Sequence, residues 1–257
     1  MASKDSIART LTIATLLCVV CSVIVSTAAV MLKPAQVANK QLDFKRNILS
    51  AAGLLDPATE VDEQFKNVEI KLVDLETGKF TTAVDADKYD QSKAAKNPEQ
   101  SESLSSDEDI AKIGRVEKYS KIYIANTAGG KKIIVLPVRG YGLWSTLYGF
   151  LAIEGDMNTV IGLGFYQHGE TPGLGGEVDN PRWKALWPGK KLFNEDGSLA
   201  IAVIKGGVDT HAAGAEHKVD GLSGATLTSK GVHNLLQFWL GKNGYAAFLA
   251  NMKKGEA

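Results

Sequence analysis

Past residue 21 the chain contains no cysteine; its only two, Cys18 and Cys21, lie inside an apolar N-terminal run. The bulk of the protein therefore holds neither a disulfide nor a cysteine-ligated iron–sulfur cluster, and redox chemistry there needs an added organic cofactor. Within the run, the Cys-x-x-Cys spacing is read as small apolar thiols on a membrane helix rather than a redox pair. Positive and negative side chains balance to a formal net charge of zero, so no broad field directs the protein to nucleic acid. No Gly-x-Gly-x-x-Gly opens a dinucleotide fold, and no Gly-x-Ser-x-Gly marks a hydrolase elbow. The four histidines, His168, His211, His217 and His233, have no metal-ligand spacing, and no metal site is expected. Neither a 20–50-residue repeat nor the strand–helix alternation of a doubly wound sheet is present.

What is present begins with residues 10–32, which carry no charge and are dominated by Leu, Val, Ile, Ala and Thr. At about 1.5 Å per residue this run crosses a hydrocarbon core of roughly 30 Å. A cleaved signal peptide competes, with Lys4 and Arg9 ahead of the run and Thr27-Ala28-Ala29 as the cleavage site. The run is longer than a usual signal core, which favours a retained anchor. Lys33, Lys40, Lys45 and Arg46 follow the run, so the positive-inside count puts the C-terminal bulk in the cytoplasm.

Beyond the anchor, residues 36–52 read as a helix continuing from it, broken at Leu54-Leu55-Asp56-Pro57. Residues 68–75 alternate like a strand. Residues 85–112 are rich in Ser, Asp, Glu, Lys and Ala and read as a solvated insertion or mobile loop. Strand patterns at 121–125 and 132–138 flank the hairpin-like Thr127-Ala128-Gly129-Gly130, and 147–153 and 160–167 form another pair. A short strand is expected over 199–205. The whole reads as α+β: one N-terminal transmembrane helix, then a mainly antiparallel sheet with flanking helices.

Three segments carry the chemistry. Asp220-Gly221-Leu222-Ser223-Gly224-Ala225-Thr226-Leu227-Thr228-Ser229 sets four hydroxyls around two glycines, ahead of a helix marked by Val232, Leu235, Leu236, Trp239 and Leu240. A helix N-terminus attracts phosphate through its free N–H groups; a Ser/Thr N-cap is the plainer reading of the same residues. Gln167 to Glu177 follows a strand as a Gly/Pro loop, with Glu170 and Thr171 at its start and Gly173, Leu174 and Gly175 behind them. Such a backbone approaches a ligand closely, and a polar surface turn is its plainer reading. Gly140-Tyr141-Gly142-Leu143-Trp144-Ser145 precedes another strand, and each aromatic ring alone also reads as core.

Together these segments resemble the FMN-binding domains of bacterial redox-driven ion pumps. Asp-x-x-Ser-Gly-Ala-Thr is similar to their flavinylation signature, in which a separate flavin transferase joins FMN through its phosphate to the last threonine, here Thr226. Glu-Thr-Pro-Gly-Leu-Gly is similar to a second hallmark that lines the FMN. The Gly-Tyr-Gly-Leu-Trp-Ser-Thr segment and the insertion before residue 115 resemble the branch found in sodium-translocating NADH:quinone oxidoreductases; the sister branch belongs to the Rnf electron-transport complex. The resemblance spans most of the chain. It implies covalent FMN on Thr226, with Asp220, Ser223, Gly224, Ala225, Leu227, Thr228, Glu170, Thr171, Gly173, Leu174, Gly175, Tyr141, Trp144 and Ser145 as cofactor-binding residues and no catalytic residue. It further implies an electron relay among the other subunits of the complex. The expected topology is a cytoplasmic tail over 1–9, an inner-membrane helix over 10–32 and a periplasmic FMN-binding region over 33–257. That orientation opposes the charge count, and the expectation follows the resemblance. A membrane-anchored scaffold without flavin, and a free-standing reductase with noncovalent FMN, are the readings from other classes.

Overall fold

A computed structural model describes residues 6–127 and 129–257; Ala128 of the expected hairpin turn and Lys4 of the tail lie outside the described residues. Helix α1, Ile7–Ala51, runs unbroken through Pro34. It is long and apolar enough to cross a membrane, with a mean hydropathy of 2.5 over its most apolar window and none of that window buried. The chain divides into two compact units, one ending at Phe44 and the other Lys45–Ala257. Gly53, in the left-handed region at φ +66°, ends α1, and the Leu54 N–H returns to the Leu49 carbonyl at 2.9 Å.

In the second unit, helix α2 (Val61–Phe65) leads into a six-stranded antiparallel sheet. Its strands are β1 (Glu69–Asp74), β2 (Lys79–Thr81), β5 (Tyr119–Asn126), β6 (Lys132–Tyr141), β7 (Thr146–Glu154) and β8 (Val160–Gln167). Their spatial order is β2-β1-β5-β6-β7-β8. Hairpins join β5 to β6, β6 to β7 and β7 to β8, so local turns set most of the register. Consecutive residues Ile133 to Leu136 on β6 are all buried, which requires cover on both faces of the sheet. Ile48, Leu49 and Ala51 at the end of α1 are buried, and Gly162 of β8 admits this helix end: a Cβ there would lie 2.6 Å from the Ala51 carbonyl oxygen.

The other face is covered by helices α5 (Thr226–Trp239) and α6 (Ala246–Lys254). Val232, Leu235, Leu236 and Trp239 recur at helical spacing and are fully buried with Ile134, Leu136, Leu147 and Leu151. Two glycines let α5 lie close on β6. A Cβ on Gly140 would meet the Leu235 Cβ at 2.8 Å, and one on Gly231 would meet the Tyr141 carbonyl oxygen at 2.4 Å. This close crossing brings the first turn of α5 to the turn that follows β6.

The segment expected as a solvated insertion or mobile loop is mostly exposed, yet it is tied to the sheet. It contains α3 (Gln91–Ala94) and β3 (Ser101–Ser103), which pairs with β4 (Arg115–Glu117). The Tyr89 hydroxyl donates to the Tyr119 carbonyl at 2.8 Å, and the Gln91 side chain bonds Glu117, Ser120 and the Lys121 N–H. Glu117 forms a buried ion pair with Arg139 of β6 at 2.6 Å. A few anchoring side chains hold a surface that is otherwise polar, which composition does not reveal. The strand expected over 199–205 shrinks to β9 (Ala202–Val203), parallel to β10 (Lys218–Val219). Residues 200 and 201 instead donate to the Leu192 carbonyl. The four-residue helix α4, Pro181–Lys184, completes the set, with Asn180 capping it through its side chain.

Candidate functional site

The site lies where three segments meet, and Glu170 is the group that joins them. Its carboxylate accepts from the N–H groups of Leu143 at 3.1 Å, Trp144 at 3.0 Å and Ser145 at 3.2 Å, all after β6. From α5 the Thr228 hydroxyl donates to it at 2.7 Å. Glu170 is 5 % exposed. Burial alone would raise its pKa, but the Thr228 hydroxyl and the three amides together hold it below the usual glutamate range. Gly142 and Gly175 leave the room this requires. A Cβ on Gly142 would sit 2.6 Å from Glu170 Oε1, and one on Gly175 would sit 2.5 Å from Thr228 Oγ1.

The loop around Glu170 is fixed from its other side as well. His168 Nδ1 accepts from the Glu170 N–H at 3.2 Å, and its Nε2 pairs with Asp179 at 2.7 Å. The Ser145 hydroxyl accepts from the Gly169 N–H at 2.6 Å. Gly173 turns the chain at φ +76°, and the Thr171 carbonyl receives the N–H groups of Leu174 and Gly176.

Thr226 is the first residue of α5 and is exposed. Among the described residues its hydroxyl has no hydrogen-bond partner. The N-cap is Ala225, which offers no side-chain bond, so the plainer expectation of a Ser/Thr cap is not realised. Ser229 closes this turn instead: its hydroxyl accepts from the Leu222 N–H at 2.8 Å and donates to the Ala225 carbonyl at 3.0 Å. Asp220 also points inward, accepting from the Val208 N–H at 2.8 Å, while its carbonyl receives the Trp183 indole N–H.

The expected binding residues thus separate by exposure, with Asp220 and Ser145 half-buried between two groups. Thr226, Ser223, Gly224, Leu227, Thr171, Gly173, Leu174, Tyr141 and Trp144 reach the surface. Glu170, Thr228, Ala225 and Gly175 are buried. For Glu170 and Thr228 the structure shows what their polar atoms already engage: one another and the 143–145 amides. Leu143 stands outside the expected set, although at 38 % exposed it adjoins Trp144 at 67 %. Together with Tyr141, Leu174 and Leu227 these make an exposed apolar patch, and the Leu174 side chain reaches within 3.2 Å of a Cβ position on Gly224. Outside α1, Ile110 is the one other exposed large apolar residue among those described. Such clustering marks a binding surface.

Beside the patch, a cleft of ≈ 550 Å³ is lined by Lys205, Asp220, Ser223, Thr226, Lys230 and His233, among others. Lys230 and His233 follow Thr226 at i+4 and i+7, so helical spacing in the sequence already put them on its face; nothing in the sequence marked Lys205.

An antiparallel sheet backed by α5, with these three glycine-rich segments at one end, defines an FMN-binding domain, and the family model of that description matches residues 142–241. Over its whole length the chain is 58% identical to the C subunit of the Na(+)-translocating NADH-quinone reductase of Pseudomonas aeruginosa, covering 100% of both proteins. With the Pasteurella multocida protein of the same name it shares 46% identity, over 98% of this chain and 97% of that one. The crystal structure of Shewanella oneidensis NqrC superposes with a TM-score of 0.77 at 38% identity, covering 84% of this chain and 99% of that one. The chain belongs to the NqrC family, the C subunits of Na(+)-translocating NADH-quinone reductases.

The residues present fit an FMN. A hydroxyl without an internal partner, an apolar platform and a cleft with cationic walls adjoin one another, matching the phosphate, ring and ribityl chemistry of that cofactor.

Proposed function

We propose that this chain is the electron-relay subunit of a membrane sodium-pumping NADH:quinone oxidoreductase and carries FMN joined through its phosphate to the Thr226 hydroxyl. The observation that carries this reading is Thr226 itself: exposed, without a hydrogen-bond partner, and set between the apolar patch and the cleft. When bound, FMN supplies the electron chemistry that a cysteine-free domain lacks. The protein supplies attachment at Thr226, apolar contact from Leu143, Trp144, Leu174 and Leu227, and a frame made rigid by Glu170. Because the patch is open rather than enclosed, a tether serves to keep a cofactor that noncovalent contacts alone would release. An open patch also leaves the ring edge accessible to cofactors on other subunits, as a relay needs.

In this reading residues 1–9 are a cytoplasmic tail, 10–32 cross the bacterial inner membrane and 33–257 are periplasmic, where the flavin transferase acts. The other subunits oxidise NADH and reduce quinone, since this chain has no dinucleotide fold opening. The test is flavin fluorescence of the denatured full chain on a gel, after production with an active flavin transferase. A fluorescent wild-type band that disappears in Thr226→Ala is expected. A dark wild-type band, with a control protein labelled by the same transferase, would refute covalent attachment.

A further inference from the structure

The cleft beside Thr226 has an unusual charge inventory. Lys205 and Lys230 both line it and are exposed, and among the described residues neither ammonium has an ion-pair or hydrogen-bond partner. His233 also lines it, and its Nδ1 is buried without a partner among the described residues. Asp220 is the one carboxylate in the lining, and its Oδ1 is engaged by the Val208 N–H. Burial pushes the His233 imidazole down from its ordinary pKa, so at neutral pH it offers a hydrogen bond rather than a charge. Two lysines against one aspartate leave the cleft one positive charge in excess. Two cations without partners in one cleft are groups that a bound anion satisfies.

We propose that Lys205 and Lys230, which line the cleft together with His233, form an anion seat that holds the phosphate diester on Thr226. The proposal rests on the reading that FMN is linked there. A diester carries one negative charge, which the excess of one positive charge in the cleft neutralises. Lys230 lies one helical turn from Thr226, where side chains at i and i+4 are neighbours. Lys205 approaches from the loop after β9, which Asp220 fixes by its bond to Val208. The seat pins the linker at its phosphate, so the ring is confined to the apolar patch instead of swinging on a free tether.

The test is phosphorus-31 NMR of the flavinylated full chain in detergent micelles, comparing wild type with Lys205→Gln/Lys230→Gln and with Lys88→Gln as a surface control. In the wild type and in Lys88→Gln the diester resonance should be displaced from that of the same diester released by proteolysis. In the double variant most of that displacement should be lost. Both substituted lysines are exposed, so folding is expected to survive; if labelling of the double variant is too sparse, the two single variants are read in the same way. A displacement equal in wild type and variants, or none in the wild type, overturns the seat while leaving the covalent link intact. A wild-type chain that accepts no flavin overturns the link itself.

Discussion

Replacing Glu170 by glutamine tests whether this residue is a structural clamp rather than a cofactor ligand. The carboxylate accepts from three consecutive backbone amides and one hydroxyl at 2.7 to 3.3 Å. Hydrogen bonds to a charged acceptor are worth about 1.5–3 kcal/mol, against about 0.5–1.5 kcal/mol for neutral ones. Glutamine keeps one acceptor oxygen but turns an NH2 group toward the Leu143 N–H and the Thr228 hydroxyl. The Thr228 hydroxyl then loses its acceptor, the Leu143 N–H keeps only its bond to the remaining oxygen, and all three amides lose charge assistance. A net loss of about 2–3 kcal/mol follows, which at about 2–4 °C per kcal/mol lowers Tm by roughly 4–12 °C for a domain of this size. Thermal unfolding of the full chain in detergent, followed by tryptophan fluorescence, measures the loss. Hydrogen exchange at the amides of 143–145 should accelerate by a comparable free energy. The pH dependence has a definite sign. Because the folded-state pKa of Glu170 is lowered from its ordinary 4.5, its contribution is fully present above that value and is lost as pH falls through the folded value. The stability gap between wild type and Glu170→Gln should therefore be constant near neutrality and narrow in acid. A Glu170→Gln protein within about 0.5 kcal/mol of wild type, with unchanged exchange at 143–145, would refute the clamp.

Other substitutions separate frame from surface. Gly231→Ala puts a Cβ 2.4 Å from the Tyr141 carbonyl oxygen, so α5 must move off β6; a loss of about 1–3 kcal/mol in denaturant unfolding is expected, with flavin labelling reduced alongside. Any flavin remaining on Thr226→Ala should be found by peptide mass spectrometry on the exposed Ser223, and never on Thr228, which is 0% exposed. Arg139→Met removes one partner of a buried ion pair and strands Glu117; chemical unfolding should report a loss of about 3–5 kcal/mol, and the 85–112 segment should become protease-sensitive before the sheet does.

The periodic elements were legible because one face or both faces of each had to be apolar. The four long hairpin-linked strands and α5 announce themselves through Ile133 to Leu136, Leu147 to Ile153 and the Val232–Trp239 stripe. The insertion was not, because its order depends on a handful of long-range partners: Tyr89 on Tyr119, Gln91 on Glu117, Arg139 beneath them. No window of sequence contains those pairs. At the site, the motif residues were visible but their division of work was not. Sequence presents Glu170, Thr226 and Thr228 as equally polar, and only the fold shows that two of them satisfy each other while the third faces outward. Lys205 sits some twenty residues before Thr226 and on another element, so no spacing rule links them. The conformation of Ala225 and the bonding of Ser229 likewise replace the expected hydroxyl cap with a device that spans seven residues.

That division has a physical logic. Under the proposed linkage, Thr226 needs a hydroxyl reachable from solvent, and any internal hydrogen bond to it would compete with the reaction. The rest of the site must nevertheless be rigid, because a cofactor on a surface has no enclosing walls to orient it. Glu170 resolves the conflict by placing the strong, charge-assisted bonds one layer below the surface. It fixes the backbone that carries Leu143 and Trp144 and, through Thr228, the helix turn that carries Thr226 and Leu227. The exposed side chains then need no bonds of their own to be held in place. If the buried layer were removed, the same surface residues would remain present but would no longer share one geometry. This is why loss of Glu170 should disorder the apolar patch without exposing any new polar ligand, whereas loss of Trp144 should leave the frame intact.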